Sequence, residues 1–394
     1  MQLTHLLPAA VLGAGLVQTG VFPVPDTPYR VQWTSSELVD HARPDPFNSS
    51  HPRRIMISRF TPIPARDCLQ TCRVPYMTPL MASHEDAVIT AFLARGNISW
   101  PRGVLASLEL EVCCKVLRRS SSSSKNNNAR SFGVGLKSSV PRGTVLVGTG
   151  LNTTRLMYSA SAQNLAAGMG YDVVVMDHPY ETDAVQFPDG SVIYGGRVPR
   201  DPNATEALAH ALDVRSQDAA LVLDYLGIGQ GCGERVGFAG DSFGGPAAAD
   251  VMLKDRRVGA GVNVDGMMFG PAVNVGVARP FLSLGSPGHN STSDETWARF
   301  RDATTANNSR VWHKELSLAG SVHGILSDFG LIGDVAGLRD SGELVGSLFG
   351  KITGARTIEI LKEYLSDFFE FALKGKGQGL LAGPSQKYPE LIFV

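Results

Sequence analysis

One serine in the sequence lies in a setting that favours nucleophilic chemistry. Ser242 is the central residue of the pentapeptide GDSFG, which fits the pattern G-x-S-x-G. An apolar segment typical of a strand, residues 235–239, precedes the pentapeptide, and small residues typical of a helix follow it. This strand–turn–helix context predicts a nucleophile elbow, in which Gly240 and Gly244 leave room for the neighbouring backbone. The alternative is an ordinary glycine-rich turn with an exposed serine.

Few histidines are placed to activate this serine. A serine hydroxyl is a poor nucleophile at neutral pH and needs a base within hydrogen-bonding reach. In enzymes with this elbow the acid and the histidine follow the serine, which leaves His289, His313 and His323. His323 is the predicted base, because it follows a strand candidate in a loop of small residues. His313 lies in a strand-like segment and is expected to be packed or on the surface, and His289 is expected to be an exposed loop residue.

The predicted acid is Asp265, which ends the apolar strand candidate GAGVNV and precedes a glycine. At the carboxyl end of a strand, its carboxylate would fix the histidine tautomer and stabilise the imidazolium. A helix N-cap is the alternative role for this residue. The rival acids lie in helical or loop contexts: Asp255, Asp294, Asp302 and Asp328.

Two backbone amides are expected to stabilise the negative oxygen that forms in such a reaction. One belongs to Phe243, directly after the serine. The other comes from the glycine-rich loop 148–151, where Leu151 is the predicted donor and a simple glycine turn is the alternative. His178 ends another strand candidate near the expected site. It is a candidate for substrate contact, with a structural role as the alternative.

Strand and helix signals alternate regularly from residue 143 onward. Strand candidates cover 144–147, 172–176, 235–239, 258–264, 279–284 and 311–318, and helix candidates cover 158–168, 205–226, 245–253 and 357–373. This alternation predicts the α/β class, with a mainly parallel central sheet covered by helices on both faces. Functional residues of such sheets lie at the carboxyl ends of the strands. The order of serine, acid and histidine indicates the α/β-hydrolase fold.

Five segments, in order, resemble the platelet-activating factor acetylhydrolase family, especially its secreted fungal members. They are GTGLNTTRLMYS (148–159), MDHPYETDAVQFPDG (176–190), GFAGDSFGG (237–245), VNVDGMMFG (262–270) and LSLAGSVHGILSDF (316–329). With the C-terminal helix and tail, the resemblance covers most of the chain after the N-terminal region. It implies Ser242, Asp265 and His323 as a catalytic triad, and Leu151 and Phe243 as oxyanion donors. It also implies acetyl or short-acyl esters of glycerophospholipids as substrates.

Two positions depart from the family pattern. Asp241 stands where the family commonly has histidine, and residues 149–152 are Thr-Gly-Leu-Asn where it commonly has His-Gly-Leu-Gly. Asp241 is expected to raise the pKa of the neighbouring histidine base and so to shift the pH optimum. Asn152 begins a glycosylation motif, but a glycan there would crowd the site, so we expect this motif to be unused.

The N-terminal segment indicates secretion. Residues 6–17 are an apolar run too short to span a bilayer, and we interpret 1–19 as a signal peptide, with an apolar strand or helix as the alternative. Residues 20–394 are expected to form a single α/β-hydrolase domain with a polar low-complexity loop at 120–128. Five further N-x-S/T motifs are expected to carry glycans: Asn48, Asn97, Asn203, Asn290 and Asn307.

The five cysteines leave at least one unpaired within the chain. Cys68 and Cys72 can pair with each other or with the adjacent Cys113 and Cys114, and the sequence does not choose. The spacing lacks the partners of a zinc site, so no metal is expected, and the predicted chemistry needs no organic cofactor. Lys and Arg (36) nearly balance Asp and Glu (37), and no basic stretch indicates nucleic acid.

The expected partner is therefore a small-molecule or phospholipid ester, with peripheral contact to a lipid surface. Polyesters and small acylated metabolites are alternative substrates for the same triad. The alternative from another functional class is a catalytically silent α/β-hydrolase that acts as a binding protein. The intact set of serine, acid and histidine argues against that alternative, because silent members usually lack at least one of them.

Overall fold

The computed structural model of the protein describes residues 20–117, 143–230, 236–307 and 309–394. The predicted signal peptide (1–19) and low-complexity loop (120–128) lie outside these residues, as does Cys232. That residues 20–394 form one domain stays a prediction.

Strands and helices of the described residues alternate over most of the chain. The strands are β1 (Gly20–Val21), β2 (Tyr29–Pro44), β3 (Pro52–Pro64), β4 (Cys68–Pro75), β5 (Leu108–Val116), β6 (Thr144–Gly148), β7 (Asp172–Met176), β8 (Ala184–Gln186), β9 (Val192–Tyr194), β10 (Val236–Asp241), β11 (Val258–Val264), β12 (Phe281–Gly285), β13 (His313–Leu318) and β14 (Leu391–Phe393). The helices are α1 (Pro79–Ala94), α2 (Ser159–Met169), α3 (Thr205–Tyr225), α4 (Gly244–Lys254), α5 (Ala272–Val275), α6 (Glu295–Asn307), α7 (Phe329–Val335), α8 (Gly342–Leu344) and α9 (Gly354–Lys374).

The central sheet has nine strands within the described residues, in the order β14-β13-β12-β11-β10-β6-β7-β3-β2. The six strands from β13 to β7 are parallel to their neighbours. At the two edges, β14 is antiparallel to β13, β3 to β7, and β2 to β3. This topology confirms the predicted α/β class with a mainly parallel sheet.

Successive residues of the central strands face two separate apolar clusters, because neighbouring side chains of a strand point to opposite faces. In β6, Val145 and Val147 belong to the cluster that includes α2 and α9, whereas Leu146 belongs to the cluster that includes α3, α4 and α6. β7 and β11 are buried along their whole length, as parallel strands covered on both faces must be. Helices therefore cover both faces of the sheet, and the carboxyl ends of β10 and β11 are adjacent.

The disulfides of the described residues lie in a separate three-stranded sheet, β1-β5-β4. Cys68 pairs with Cys113, and Cys72 pairs with Cys114. β4 contains Cys68 and Cys72, and β5 contains Cys113 and Cys114. The two strands are antiparallel neighbours, so each cysteine of β4 lies beside one of β5, and this answers the question of disulfide pairing that the sequence left open.

Two elements of the structure carry weak signals in the sequence. β2 is sixteen residues long, but it forms an edge of the sheet and most of its side chains are half-buried or exposed. α6 buries only Trp297, Phe300 and Thr304, so its apolar stripe is too short to stand out. Within the described ranges, no helix is both long and apolar enough to cross a membrane.

Removing both disulfides is expected to destabilise the protein far more than removing either one. The bridges close nearly the same loop, with sequence separations of 45 and 42 residues, so one bridge restricts the unfolded chain almost as well as two. We expect the quadruple Cys→Ser variant to lose about 3 to 4 kcal/mol of unfolding free energy, and each single-bridge variant less than about 1.5 kcal/mol. Urea unfolding followed by circular dichroism measures both quantities. Equal and additive losses would contradict the shared-loop explanation.

Candidate active site

Ser242 lies in the sharp turn between β10 and α4. Its φ of 53° is in the left-handed region, which costs a residue other than glycine on the order of 1 to 3 kcal/mol. Close backbone packing holds this turn. A Cβ on Gly240 would lie 1.8 Å from the Gly244 oxygen, and one on Gly244 would lie 2.2 Å from the Gly148 oxygen. Only glycine fits at positions 240 and 244, and the turn has the form of a nucleophile elbow.

The carboxylate of Asp265 lies just after β11 and is almost fully buried. Its Oδ1 accepts hydrogen bonds from the Ser286 amide (2.7 Å) and from His289 Nδ1 (2.8 Å). Its Oδ2 lies 2.9 Å from His323 Nδ1. Burial alone would raise the pKa of Asp265, but the hydrogen bonds from His289, His323 and the Ser286 amide lower it well below its usual range. Asp265 is therefore ionised at neutral pH.

His323 connects this carboxylate to the serine. Its Nε2 lies 2.9 Å from Ser242 Oγ, while its Nδ1 contacts Asp265. The hydrogen bond to Asp265 raises the pKa of His323 against the opposing effect of burial, and the negative charge of Asp241 raises it further. The side chain is 63% exposed, so a ligand can reach it from solvent. The structure thus brings the three predicted residues together in the order that nucleophile, base and acid require.

His289 is a half-buried bridge between two carboxylates, and the expectation that it is an exposed loop residue was wrong. Its Nδ1 contacts Asp265, its Nε2 lies 2.9 Å from Asp294 Oδ2, and its ring packs 4.6 Å from that of Trp297. Carboxylates only accept, so an imidazole between two of them donates from both nitrogens and carries a positive charge. Burial opposes this charge, but the bonds to Asp265 and Asp294 raise the pKa of His289 to about 9.

Asp241 lies beneath the turn and is buried. Its Oδ2 accepts a hydrogen bond from the Tyr158 hydroxyl (3.0 Å), and its Oδ1 accepts one from the Leu326 amide (3.3 Å). The Tyr158 hydroxyl in turn accepts a hydrogen bond from the Gly150 amide at 2.9 Å. Burial raises the pKa of Asp241 to about 6, although the charge of His323 and the bonds from Tyr158 and Leu326 oppose this rise. Asp241 therefore links the elbow to the loop after β6.

That loop lies beside the serine. A Cβ on Gly150 would lie 3.4 Å from Ser242 Cβ, and Arg215 fixes the loop by donating to two of its carbonyl oxygens, at 2.6 and 3.3 Å. The side chains of Leu151 and Phe243 belong to one apolar cluster. In the part of the chain that the structure describes, the amide of neither residue donates a hydrogen bond to another protein group. Both predicted donors are therefore free to bind a ligand oxygen.

Of two other histidines, His178 is enclosed by protein and His313 is half-buried. His178 is 1% exposed, and its Nδ1 lies 2.9 Å from Asp218, which also binds Arg53. Burial lowers the pKa of His178, and its predicted substrate contact is corrected here to a structural role, because the side chain does not reach a surface. Burial also lowers the pKa of His313, in β13, to about 4.

Asn152 is engaged by its neighbours. Its φ of 58° is in the left-handed region, and its amide nitrogen donates to the Glu181 carbonyl oxygen at 2.7 Å. Its amide oxygen accepts a hydrogen bond from Arg200 at 3.1 Å. These contacts are in keeping with the expectation that this glycosylation motif is unused, which stays a prediction.

Known proteins resemble this chain along most of its length. No family model matches the sequence. A probable 1-alkyl-2-acetylglycerophosphocholine esterase of Arthroderma benhamiae is 38% identical over 399 residues, which cover 98% of this chain and 97% of the relative. The solved structure of a ferulic acid esterase from Streptomyces cinnamoneus has a TM-score of 0.70 and 26% identity, covering 95% of this chain and 99% of that one. At this similarity the protein belongs to the 1-alkyl-2-acetylglycerophosphocholine esterase (platelet-activating factor acetylhydrolase) family, and it is a carboxylic ester hydrolase with the α/β-hydrolase fold.

Proposed function

We propose that this esterase is a secreted enzyme that hydrolyses short-acyl, chiefly acetyl, esters of glycerophospholipids through a Ser242–His323–Asp265 triad. The observation that carries the triad is the unbroken chain of hydrogen-bonding distances, 2.9 Å from Ser242 Oγ to His323 Nε2 and 2.9 Å from His323 Nδ1 to Asp265 Oδ2. The substrate class rests on the name of the relative from Arthroderma benhamiae.

In the acylation step, His323 Nε2 takes the proton of Ser242 as Oγ attacks the ester carbonyl carbon. The carbonyl oxygen becomes an oxyanion and accepts hydrogen bonds from the Leu151 and Phe243 amides. His323 then gives its proton to the leaving alcohol as the C–O bond breaks, which leaves the acyl group on Ser242. In the second step His323 takes a proton from a water molecule as the water oxygen attacks the acyl carbon. The bond between that carbon and Ser242 Oγ then breaks, His323 returns the proton to Oγ, and the acid is released. Protein groups alone carry every proton transfer in this scheme.

Asp265 and His289 act on this sequence through His323. Asp265 holds the base in the tautomer with Nε2 directed at the serine and stabilises the imidazolium that forms. The protonated His289 occupies Oδ1 of Asp265, so that Oδ2 remains directed at His323. We therefore treat His289 as a positioning residue, held by Asp294 on its far side.

The surroundings of Ser242 are suited to an apolar substrate. Leu151, Phe243 and Phe269 contribute to one apolar cluster beside the serine, and the Phe243 and Phe269 ring centroids lie 5.9 Å apart. Met267, two residues after Asp265, is 42% exposed on the same loop. Peripheral contact with a lipid surface stays part of the proposal and rests on the phospholipid class of the substrate.

Esters of bulkier acids are the second candidate substrates. The ferulic acid esterase from Streptomyces cinnamoneus shares this fold over nearly all of both chains, and the exposed His323 leaves room for a bulky ester. Feruloyl esters and polyesters therefore belong in the test of specificity.

Secretion rests on the sequence of residues 1–19 and on chemistry within the described residues. Two disulfides are typical of an oxidising compartment. Of the five proposed glycan sites, Asn290 is half-buried. The other four have exposed side chains: Asn48, Asn97, Asn203 and Asn307.

Ser242→Ala is expected to abolish labelling by a fluorophosphonate probe and to lower the rate of ester hydrolysis by at least about a thousandfold. Both effects follow because alanine has no hydroxyl oxygen to attack the probe or the ester. The control is Ser191→Ala, which removes an exposed hydroxyl in the turn between β8 and β9. Unchanged labelling of Ser242→Ala would refute the nucleophile assignment.

A panel of esters tests the substrate. We expect kcat/KM to be highest for 2-acetyl glycerophospholipids and to fall as the acyl chain of p-nitrophenyl esters lengthens. A methyl feruloyl ester and a polyester film complete the panel. Activity confined to the feruloyl ester or the film would reject the phospholipid proposal while leaving the triad in place.

His289→Gln is expected to lower kcat by up to about a hundredfold with little change in KM, because Asp265 loses its charged partner. The charge of His289 lowers the pKa of His323, so its removal raises that pKa and moves the acid limb of the pH–rate profile to higher pH. The profile of kcat/KM with p-nitrophenyl acetate measures this shift. The exposed His41→Gln is the control, and an unshifted acid limb would show that His289 only supports the loop.

Asp241→Asn is expected to move the same acid limb in the opposite direction, by less than about one pH unit. The Asp241 carboxylate raises the pKa of His323, so without its charge His323 stays neutral, and therefore active as a base, at lower pH. The same pH–rate measurement checks this direction. An acid limb that stays in place or moves upward would contradict a charge effect of Asp241.

A further inference from the structure

Three metal-ligating side chains converge away from the proposed triad, between α1 and the β8–β9 hairpin. His84 and Glu85 lie on α1, and Asp183 immediately precedes β8. One ligand atom from each residue lies within 4.8 Å of the others, and His84 Nε2 is 3.3 Å from Asp183 Oδ2. The group therefore presents one imidazole nitrogen and two carboxylates to a common point.

Three polar atoms of this group are buried and have no hydrogen-bond partner outside the group within the described residues. Glu85 is 4% exposed, and its Oε1 accepts no hydrogen bond from any described residue. His84 Nε2 and Asp183 Oδ2 are buried as well and, within the described residues, have no partner outside the group; they lie 3.3 Å from each other. Unpaired buried polar atoms are costly, and two carboxylates near one another repel. A cation between them would satisfy all three atoms at once.

We propose that His84, Glu85 and Asp183 bind one zinc ion, with a water molecule as the fourth ligand. Zinc combines imidazole nitrogen with carboxylate oxygen, whereas calcium takes six to eight oxygen ligands and magnesium keeps most of its own water. Tetrahedral ligands at about 2.1 Å from zinc are about 3.4 Å apart, close to the separation of His84 Nε2 from Asp183 Oδ2. His84 is 27% exposed, which gives the ion and its water a path from solvent.

The ion would stabilise the fold and take no part in ester hydrolysis, since the site contains none of the proposed catalytic groups. It would tie α1 to the segment that leads into β8. Two residues before Asp183, Glu181 binds Arg215, which holds the carbonyl oxygens of the loop beside Ser242. By fixing Asp183, the zinc would help to hold Glu181 in place, and through Arg215 it would stabilise the loop beside Ser242. The sequence indicated no metal because its adjacent ligands His84 and Glu85 are separated from Asp183 by nearly one hundred residues of chain.

A shared proton is the competing occupant. Burial and the neighbouring Asp183 raise the pKa of Glu85 well above its usual range, so a proton could join the two carboxylates in place of a metal. The charges facing the group from its surroundings are Asp86, on α1, and Asp177, after β7. The two occupants differ in their response to added zinc.

The test uses the full chain after treatment with a chelator and removal of the chelator. Calorimetric titration with ZnCl₂ should give one tight site, and saturating zinc should raise the thermal unfolding midpoint by about 2 to 4 °C. Glu85→Gln keeps the shape of the side chain but removes a ligand charge, so it should lose the tight site and the shift. Glu206→Gln, exposed at the start of α3, is the matched control and should keep both.

Cobalt provides a test that needs no variant. Co²⁺ bound to the wild-type protein should give the visible absorption of a four-coordinate site, and zinc should displace it. The proposal is overturned if the wild type shows no tight site, or if Glu85→Gln binds zinc and shifts as the wild type does. The first result would assign the cluster to a shared proton, and the second would place the bound zinc at another site.

Discussion

The backbone of the elbow approaches its neighbours so closely that two positions have no space for a side chain, and the reacting groups depend on this constraint. Gly240 lies against Gly244, and Gly244 lies against the end of β6 at Gly148. The chain can make this turn only if Ser242 adopts a left-handed conformation, which lifts its side chain out of the strand. The same contacts bring the loop after β6, with Leu151, beside the serine. One steric constraint thus places both the proposed nucleophile and the amides that would bind an oxyanion.

Charges around the histidine then set its properties. Asp265 is a buried carboxylate whose two oxygens are both occupied, by the Ser286 amide and His289 on one side and by His323 on the other. Asp241, below the turn, adds a second negative charge that raises the pKa of His323, while His289 adds a positive charge that lowers it. The pKa of His323 therefore depends on two opposing charges, the carboxylate of Asp241 and the imidazolium of His289. Changes at Asp241 or His289 would therefore shift the pKa of His323 without altering the residues of the proposed triad.

Local sequence patterns were sufficient to predict the fold and the three residues of the proposed triad, Ser242, Asp265 and His323. The strands β7 and β11 are buried, apolar and short, so their sequences show them directly, and the elbow and Asp265 follow such strands. The role of His289 was missed because its partner Asp265 is 24 residues away and only packing of the folded chain brings the two together. His178 was expected near the site because it ends a strand, but it is buried and pairs with Asp218 of α3, which also binds Arg53 of β3. Edge strand β2 and the disulfide pairing likewise depend on long-range contacts that no local pattern records.

The central claim is that Ser242 carries the acyl group during turnover. The most direct measurement mixes the enzyme with p-nitrophenyl acetate, stops the reaction within milliseconds by acid, and maps the acetyl group by mass spectrometry of peptides. The account predicts one acetyl group on the peptide that contains Ser242, present in the quenched sample and lost when the substrate is exhausted. Rapid turnover with no acetyl group on that peptide, or with the acetyl group on another residue, would contradict it.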